Sequence, residues 1–230
     1  MNRIVFITGA DRGLGFSLTK EFLQAGDRVF AGQFMPRWKE LEALKEQEPE
    51  RLTIVPLDIM KEESIDEAVR LVKEETPYID LLVNVAGIAG RDSEEAIRRI
   101  IRTNALGAMC VTERFLPLME TGMKRIGYFS SEAGSITLAF REGMFGYCMS
   151  KAALNMGIRL AFNKLRPEGF TFRVYHPGWV NSYMGGDTIS TGGIYSADES
   201  AHEAFLYLTG ETDSEDVLMI RDVAGMSWSF

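Results

Sequence analysis

The sequence predicts an α/β protein with a doubly wound sheet of about seven parallel strands and helices on both faces. Short β-rich runs alternate with longer helical patterns along all 230 residues. That alternation is the signature of βαβ units. Several of the runs are apolar without strict alternation, which suits strands covered on both sides. A glycine-rich turn joins the first strand to the first helix, where such a sheet can receive a phosphate.

The elements follow in order. "RIVFIT" (3–8) reads as the first strand, and Leu14, Leu18, Phe22 and Ala25 repeat behind it at helical spacing. "RVFAG" (28–32) is the second strand. "KELEALKEQEPER" (39–51) reads as a solvated helix face with Leu41 and Leu44 turned inward. "LTIVPL" (52–57) precedes a helix marked by Ile65, Ala68, Val69 and Val72. "DLLVNV" (80–85), "IGYFS" (126–130), "TFRVYH" (171–176) and "DVLMI" (216–220) supply the remaining strands. Pro167 ends the helix that begins near Tyr147, because proline cannot continue the hydrogen-bond ladder. With no repeat, low-complexity tract or Gly/Ser/Pro-rich linker, residues 1–230 read as one domain.

Composition is ordinary for a globular chain, with 46% hydrophobic and 25% charged residues. Thirty-three acidic against 25 basic residues give a net charge of −8, and the field of such a molecule repels nucleic acids and acidic membranes. Cys110 and Cys148 lack the spacing of a zinc or redox motif and read as small buried hydrophobes. His176 and His202 stand apart, so no metal site is expected. The chain runs from "MNRIVFITGA" straight into a strand pattern, without a signal-peptide core or a bilayer-length apolar run, and is expected in the cytoplasm.

"TGADRGLG" (8–15) places Gly9, Gly13 and Gly15 between strand and helix. Glycines there allow a tight turn and close approach to a ligand, and the helix N-terminus offers free N–H groups to a pyrophosphate. The spacing is a variant of the usual dinucleotide fingerprint. In an NAD site an acidic residue about 20 positions further on binds the ribose, but "GQFMPR" (32–37) has none. Arg12 and Arg37 would instead suit a 2′-phosphate, which favours NADP with NAD as the alternative.

"GYCMSKAAL" (146–154) sets Tyr147 and Lys151 one helical turn apart. Side chains at i and i+4 share a face. The bland reading is a tyrosine packed on a lysine stem; the chemical reading is a phenol whose acidity an ammonium lowers for acid/base work.

With the glycine loop, "LDI" (57–59), "NVAG" (84–87), "RTNALG" (102–107), "FSSEAGS" (129–135), "YCMSK" (147–151) and "HPGWVNS" (176–182), the chain resembles the short-chain dehydrogenase/reductase family, and within it the small carbonyl reductases related to sniffer and to the myxobacterial C-factor. The resemblance implies a Rossmann fold. It also implies that Tyr147 is the general acid or base, Lys151 lowers its pKa and binds the nicotinamide ribose, Ser131 holds the substrate oxygen, and Asn104 anchors a water near Lys151. Cofactor contacts are implied for Gly9, Asp11, Arg12, Gly13, Leu14, Gly15, Arg37, Asp58, Ile59, Asn84, Ala86, Gly87, Tyr147, Lys151, Pro177, Gly178, Val180 and Ser182.

Some positions depart from the family pattern. Ser131 and Tyr147 lie 16 positions apart, Val85 stands where Asn is commonest, and Tyr183 replaces a frequent acid. Ser130 competes for the serine role. The segment near 183–198 reads as a lid over a small-molecule carbonyl or alcohol. Monomeric members carry a long insertion before the tyrosine; its absence implies a homodimer or homotetramer through the helices near 104–120 and 148–165. A cofactor-sensing regulatory protein is the rival to a reductase.

Overall fold

The computed structural model describes residues 2–230. Strands β1 (Ile4–Thr8), β2 (Arg28–Gln33), β3 (Leu52–Pro56), β4 (Leu81–Asn84), β5 (Arg125–Phe129), β6 (Thr171–His176) and β7 (Ile220–Asp222) pair in parallel. A short β8 (Ser227–Trp228) returns antiparallel on β7, and the order across the sheet is β3-β2-β1-β4-β5-β6-β7-β8. The sheet thus has eight strands where about seven were expected. The extra one arises because the Asp222 carboxylate accepts the N–H groups of Ala224 and Met226, closing a hairpin in which Gly225 takes φ +79°.

The seventh strand also starts later than the run 216–220 suggests. Just before it, Glu215 forms a two-pronged ion pair with the buried Arg173 of β6, at 2.6 and 2.7 Å. Only from Ile220, opposite Val174, does the chain join the ladder.

Helices α1 (Gly13–Gln24), α2 (Glu40–Gln47), α3 (Glu62–Glu75), α4 (Glu94–Ile101), α5 (Ala108–Phe115), α6 (Phe145–Leu165) and α7 (Ala197–Thr209) cover both faces. The pleat of β1 divides the core. Val5 and Ile7 join Leu18 and Phe22 of α1 and Ala204 and Leu208 of α7, while Phe6 joins Ile65 of α3, Phe115 of α5 and Ile158 of α6. Each fully buried side chain of this size contributes about 1.5–3 kcal/mol. The Ser93 side chain caps α4, and Ser196 with Glu199 forms a capping box on α7.

Two features place the site. β1 lies between β2 and β4, so the chain direction across the sheet switches beside the C-terminal end of β1, and ligands of such sheets bind in that crevice. A π-helical turn, Arg102–Gly107, joins α4 to α5; a Cβ on Gly107 would lie 2.8 Å from the Ile59 carbonyl oxygen, so the turn packs closely on the end of β3's following loop.

Candidate active site

The glycine loop is folded hard against the end of β4. Gly9 and Gly13 take φ +64° and +55°, values that glycine adopts without steric cost. A Cβ on Gly9 would lie 2.9 Å from Ala86 Cα, and one on Gly15 only 2.1 Å from the Gly9 carbonyl oxygen. At the start of α1, Arg12 provides no side-chain cap, and the first turn holds no acidic residue. Its N–H groups are therefore left for an outside acceptor, and a pyrophosphate fits that cradle. Leu14 packs into the core beneath it.

The arginines meet as one cluster. Arg12 lies over the rings of Trp38 and Tyr183, at 5.1 and 5.5 Å, and both Arg12 and Arg37 pair with the Asp187 carboxylate. Asp11, buried in the loop, accepts the Met35 N–H at 3.3 Å; burial raises its carboxyl, opposed by backbone hydrogen bonds. After β3, Asp58 accepts the Met60 N–H and Ile59 is buried.

Along the crevice, Asn84 donates to Thr112 while its buried Oδ1 has no partner. Gly87 leaves room for Asn104 Oδ1, 3.3 Å from where its Cβ would stand. Beyond β6, Ser200 donates to the Pro177 carbonyl, Gly178 takes φ +74°, Val180 bridges to Tyr195, and Ser190 Oγ accepts the Ser182 N–H.

Tyr147 and Lys151 share a face of α6, with Lys151 Nζ 5.7 Å from the phenol ring centre. The ammonium donates to the Phe129 carbonyl at 2.8 Å. Ser131 follows β5, accepts the Ala133 N–H at 3.1 Å and donates to Glu132 at 2.5 Å, and it faces the Tyr147 phenol. Ser130 is turned away and donates to Asn155. Asn104, on the π-helical turn, exchanges two hydrogen bonds with the Ile88 backbone and donates to Ser150 Oγ at 3.0 Å.

The electrostatics differ from the expected lowered phenol. Burial pushes Tyr147 up to about 12, opposed by a hydrogen bond from Ser131 and by the Arg141 charge and reinforced by the Glu132 charge, and burial pushes the Lys151 ammonium down to about 8. The ammonium is directed to a carbonyl and both groups lose water, so desolvation outweighs their mutual influence. A phenol held this way is protonated at neutral pH.

A family model described as short chain dehydrogenase matches residues 3–191. The chain belongs to the short-chain dehydrogenase family. C-signal of Myxococcus xanthus is 41% identical over 118 residues, covering 48% of this chain and 71% of that protein. An uncharacterised oxidoreductase of Schizosaccharomyces pombe is 34% identical over 197 residues, 82% of this chain and 78% of the relative. Among solved structures, the NADPH-bound carbonyl reductase from chicken fatty liver superposes with a TM-score of 0.87 at 29% identity, covering 100% of this chain and 99% of that one. Sniffer of Drosophila melanogaster gives 0.87 at 25% identity over both whole chains.

As in a short-chain dehydrogenase, motifs far apart in sequence, at 8–15, 84–87, 104, 131, 147–151 and 177–182, meet at the C-terminal ends of β1, β4, β5 and β6. Sequence reading assigned no role to three residues there. Glu132, Arg141 and His176 join Ser131 in one cluster; Glu132 stands inside a recognised motif, but nothing in its spacing announces its partners. A cleft of about 110 Å³ beside them is lined by Ala133, Phe140, Arg141, Phe145, Cys148 and Met149. A larger recess of about 400 Å³ near Arg28 and Glu75 lies at the other ends of the strands.

Cys110 and Cys148 are half-buried rather than buried, because one side of α5 and of α6 is left open. His202 pairs with Glu21 at 3.0 Å. Among the described residues no group of three His, Cys, Asp or Glu could hold a metal, and no helix is long and apolar enough to cross a membrane.

Proposed function

We propose that this chain is an NADP-dependent reductase of aldehydes or ketones, acting as one catalytic unit over residues 1–230 with the segment near 183–198 as its lid. The observation that carries this reading is the placement of Tyr147 one turn from Lys151 on α6, with Ser131 at the end of β5, beside the glycine-loop crevice. Bound NADPH supplies a hydride. Gly9, Gly13, Gly15, Asp11 and Leu14 form the pyrophosphate loop, and Asp58 and Ile59 border the adenine. Asn84, Ala86, Gly87, Pro177, Gly178, Val180 and Ser182 line the nicotinamide side. Tyr147 gives its proton to the carbonyl oxygen, Lys151 holds the ribose, Ser131 fixes the reacting oxygen and Asn104 supports the turn behind them.

Turnover of a carbonyl panel with NADPH and NADH tests the reading. A cofactor-sensing protein would bind NADPH and reduce nothing. The NADPH-bound relative of this fold supports the cofactor assignment. So does the convergence of Arg12 and Arg37 on one carboxylate, since two guanidiniums that gather an anion suit a 2′-phosphate. Fluorescence titration should give tighter binding of NADPH than NADH, with Arg12→Ala narrowing the gap; equal or tighter NADH binding in the wild type would refute it.

Assembly follows from the surface. Along the helices near 104–120 and 148–165, Ala105, Val111, Met119 and Phe162 are buried in the chain's own core. Leu106, Met156 and Leu160, exposed at 49%, 61% and 60%, stay open with Ala153, and the structure adds Met149, exposed at 50%, to this apolar surface. A two-fold contact would cover it. Light scattering should return a multiple of 25.8 kDa at micromolar concentration; the mass of one chain would rule this out.

A further inference from the structure

The carboxylate on which Arg12 and Arg37 converge belongs to the lid. Arg12 Nη1 lies 3.4 Å from Asp187 Oδ1, and Arg37 Nη2 pairs with the same oxygen. Among the described residues no other carboxylate pairs with either arginine, and both hydrogen bonds that the Asp187 side chain accepts come from them. The first turn of the lid is fastened beside this contact. The Tyr183 ring lies 4.7 Å from the Trp38 ring, the Tyr183 carbonyl accepts Arg12 Nη2 at 3.2 Å, and the Met184 carbonyl accepts the Ala89 N–H at 3.1 Å. Next come Gly185 and Gly186, where an added Cβ would meet nothing within 4 Å. After that open stretch, the Asp187 carboxylate is what ties the lid back to the glycine-loop side.

An exposed ion pair alone is worth little, and the Asp187 side chain is 62% exposed. Here, however, one partner is fixed in advance. Arg12 is only 17% exposed, lies over the Trp38 and Tyr183 rings and donates to the Tyr183 carbonyl, so its planar fork is held before any outside anion arrives. We propose that Asp187 is a specificity-determining residue: its carboxylate occupies the guanidinium pair that would take the 2′-phosphate of NADPH, latches the lid there, and must be withdrawn before that phosphate can bind. This rests on the NADP-dependent reading above.

Two consequences follow from a carboxylate in that position. The apparent affinity for NADPH is reduced to the extent that the latch is closed, because only the open fraction is competent to bind. The affinity for NADH, which carries a hydroxyl in place of the phosphate, does not depend on the latch. Asp187 therefore moderates the preference that the two arginines create. The lid, in turn, responds to the kind of cofactor: residues 183–198 are freed from Arg12 and Arg37 when NADPH binds and stay held when NADH binds.

Calorimetric titration with NADP⁺ and NAD⁺ reads the site without turnover. Asp187→Asn keeps the size of the side chain and removes its charge. It should tighten NADP⁺ binding about fivefold, the upper scale of an exposed ion pair, and leave NAD⁺ binding unchanged. Unchanged or weaker NADP⁺ binding overturns the proposal, as does an equal gain for NAD⁺, which would report a lid that merely obstructs the crevice. In an Arg12→Ala/Arg37→Ala background the same substitution should change nothing; a gain that persists there would report loss of a negative charge rather than release of a latch, and also overturns it. Chymotrypsin cleavage within residues 183–198, mapped by mass spectrometry on the ligand-free proteins, reads the lid itself: Asp187→Asn should be cut faster than the wild type, and equal rates would refute the latch. Tighter binding of NAD⁺ than of NADP⁺ by the wild type would sink the NADP reading instead, and the ligand-free cleavage rates would still decide whether Asp187 holds the lid.

Discussion

Tyr147→Phe should lower turnover by about 10²-fold or more, the scale of lost general acid catalysis, while leaving NADPH binding nearly unchanged. The substitution removes one hydroxyl and keeps the ring, which is half-buried on α6 over Lys151. Nothing in the glycine loop or the Arg12–Arg37 cluster depends on that oxygen. Lys151→Ala should damage both binding and turnover, because the ammonium is buried and tied to the Phe129 carbonyl at the end of β5. Steady-state rates on the carbonyl panel, alongside fluorescence titration with NADPH, separate the two effects. Near wild-type turnover by the Phe variant on any accepted carbonyl would exclude Tyr147 as the acid.

The sheet was largely legible in the sequence because apolar runs and the helical repeats between them are local patterns. "TFRVYH" spans the observed β6, and the inward positions Leu18, Phe22, Ile65, Ala68 and Val72 are buried. The late start of β7 was not legible, because it depends on Glu215 reaching Arg173, 42 residues away. The four-residue offset of Tyr147 and Lys151 gave their shared face but not their acidities, since those follow from burial by elements far along the chain. Asp187 shows the same limit: it meets Arg12 across 175 residues and Arg37 across 150, and no local pattern connects them.

Gly15→Ala should weaken NADPH binding by about tenfold or more, the scale of one lost hydrogen bond to a charged group, and should destabilise the fold by about 1–3 kcal/mol, as overpacking does. The three glycines of the loop are not equivalent. At Gly13 the nearest outside atom to a new Cβ is on Tyr183 at 3.9 Å, so Ala there costs mainly the strain of φ +55°. At Gly15 the new Cβ would lie 2.1 Å from the Gly9 carbonyl oxygen and 2.8 Å from its carbonyl carbon. Both are backbone atoms and cannot swing aside. Gly9 in turn rests on the Ala86 backbone, so the displacement passes to the end of β4 or lifts the loop off α1. Either movement spoils the N–H groups that the uncapped helix start offers to a pyrophosphate. Thermal melts of both variants and NADPH titration of Gly15→Ala test this together; wild-type NADPH affinity in Gly15→Ala would mean that the cofactor's phosphates do not lie on this loop.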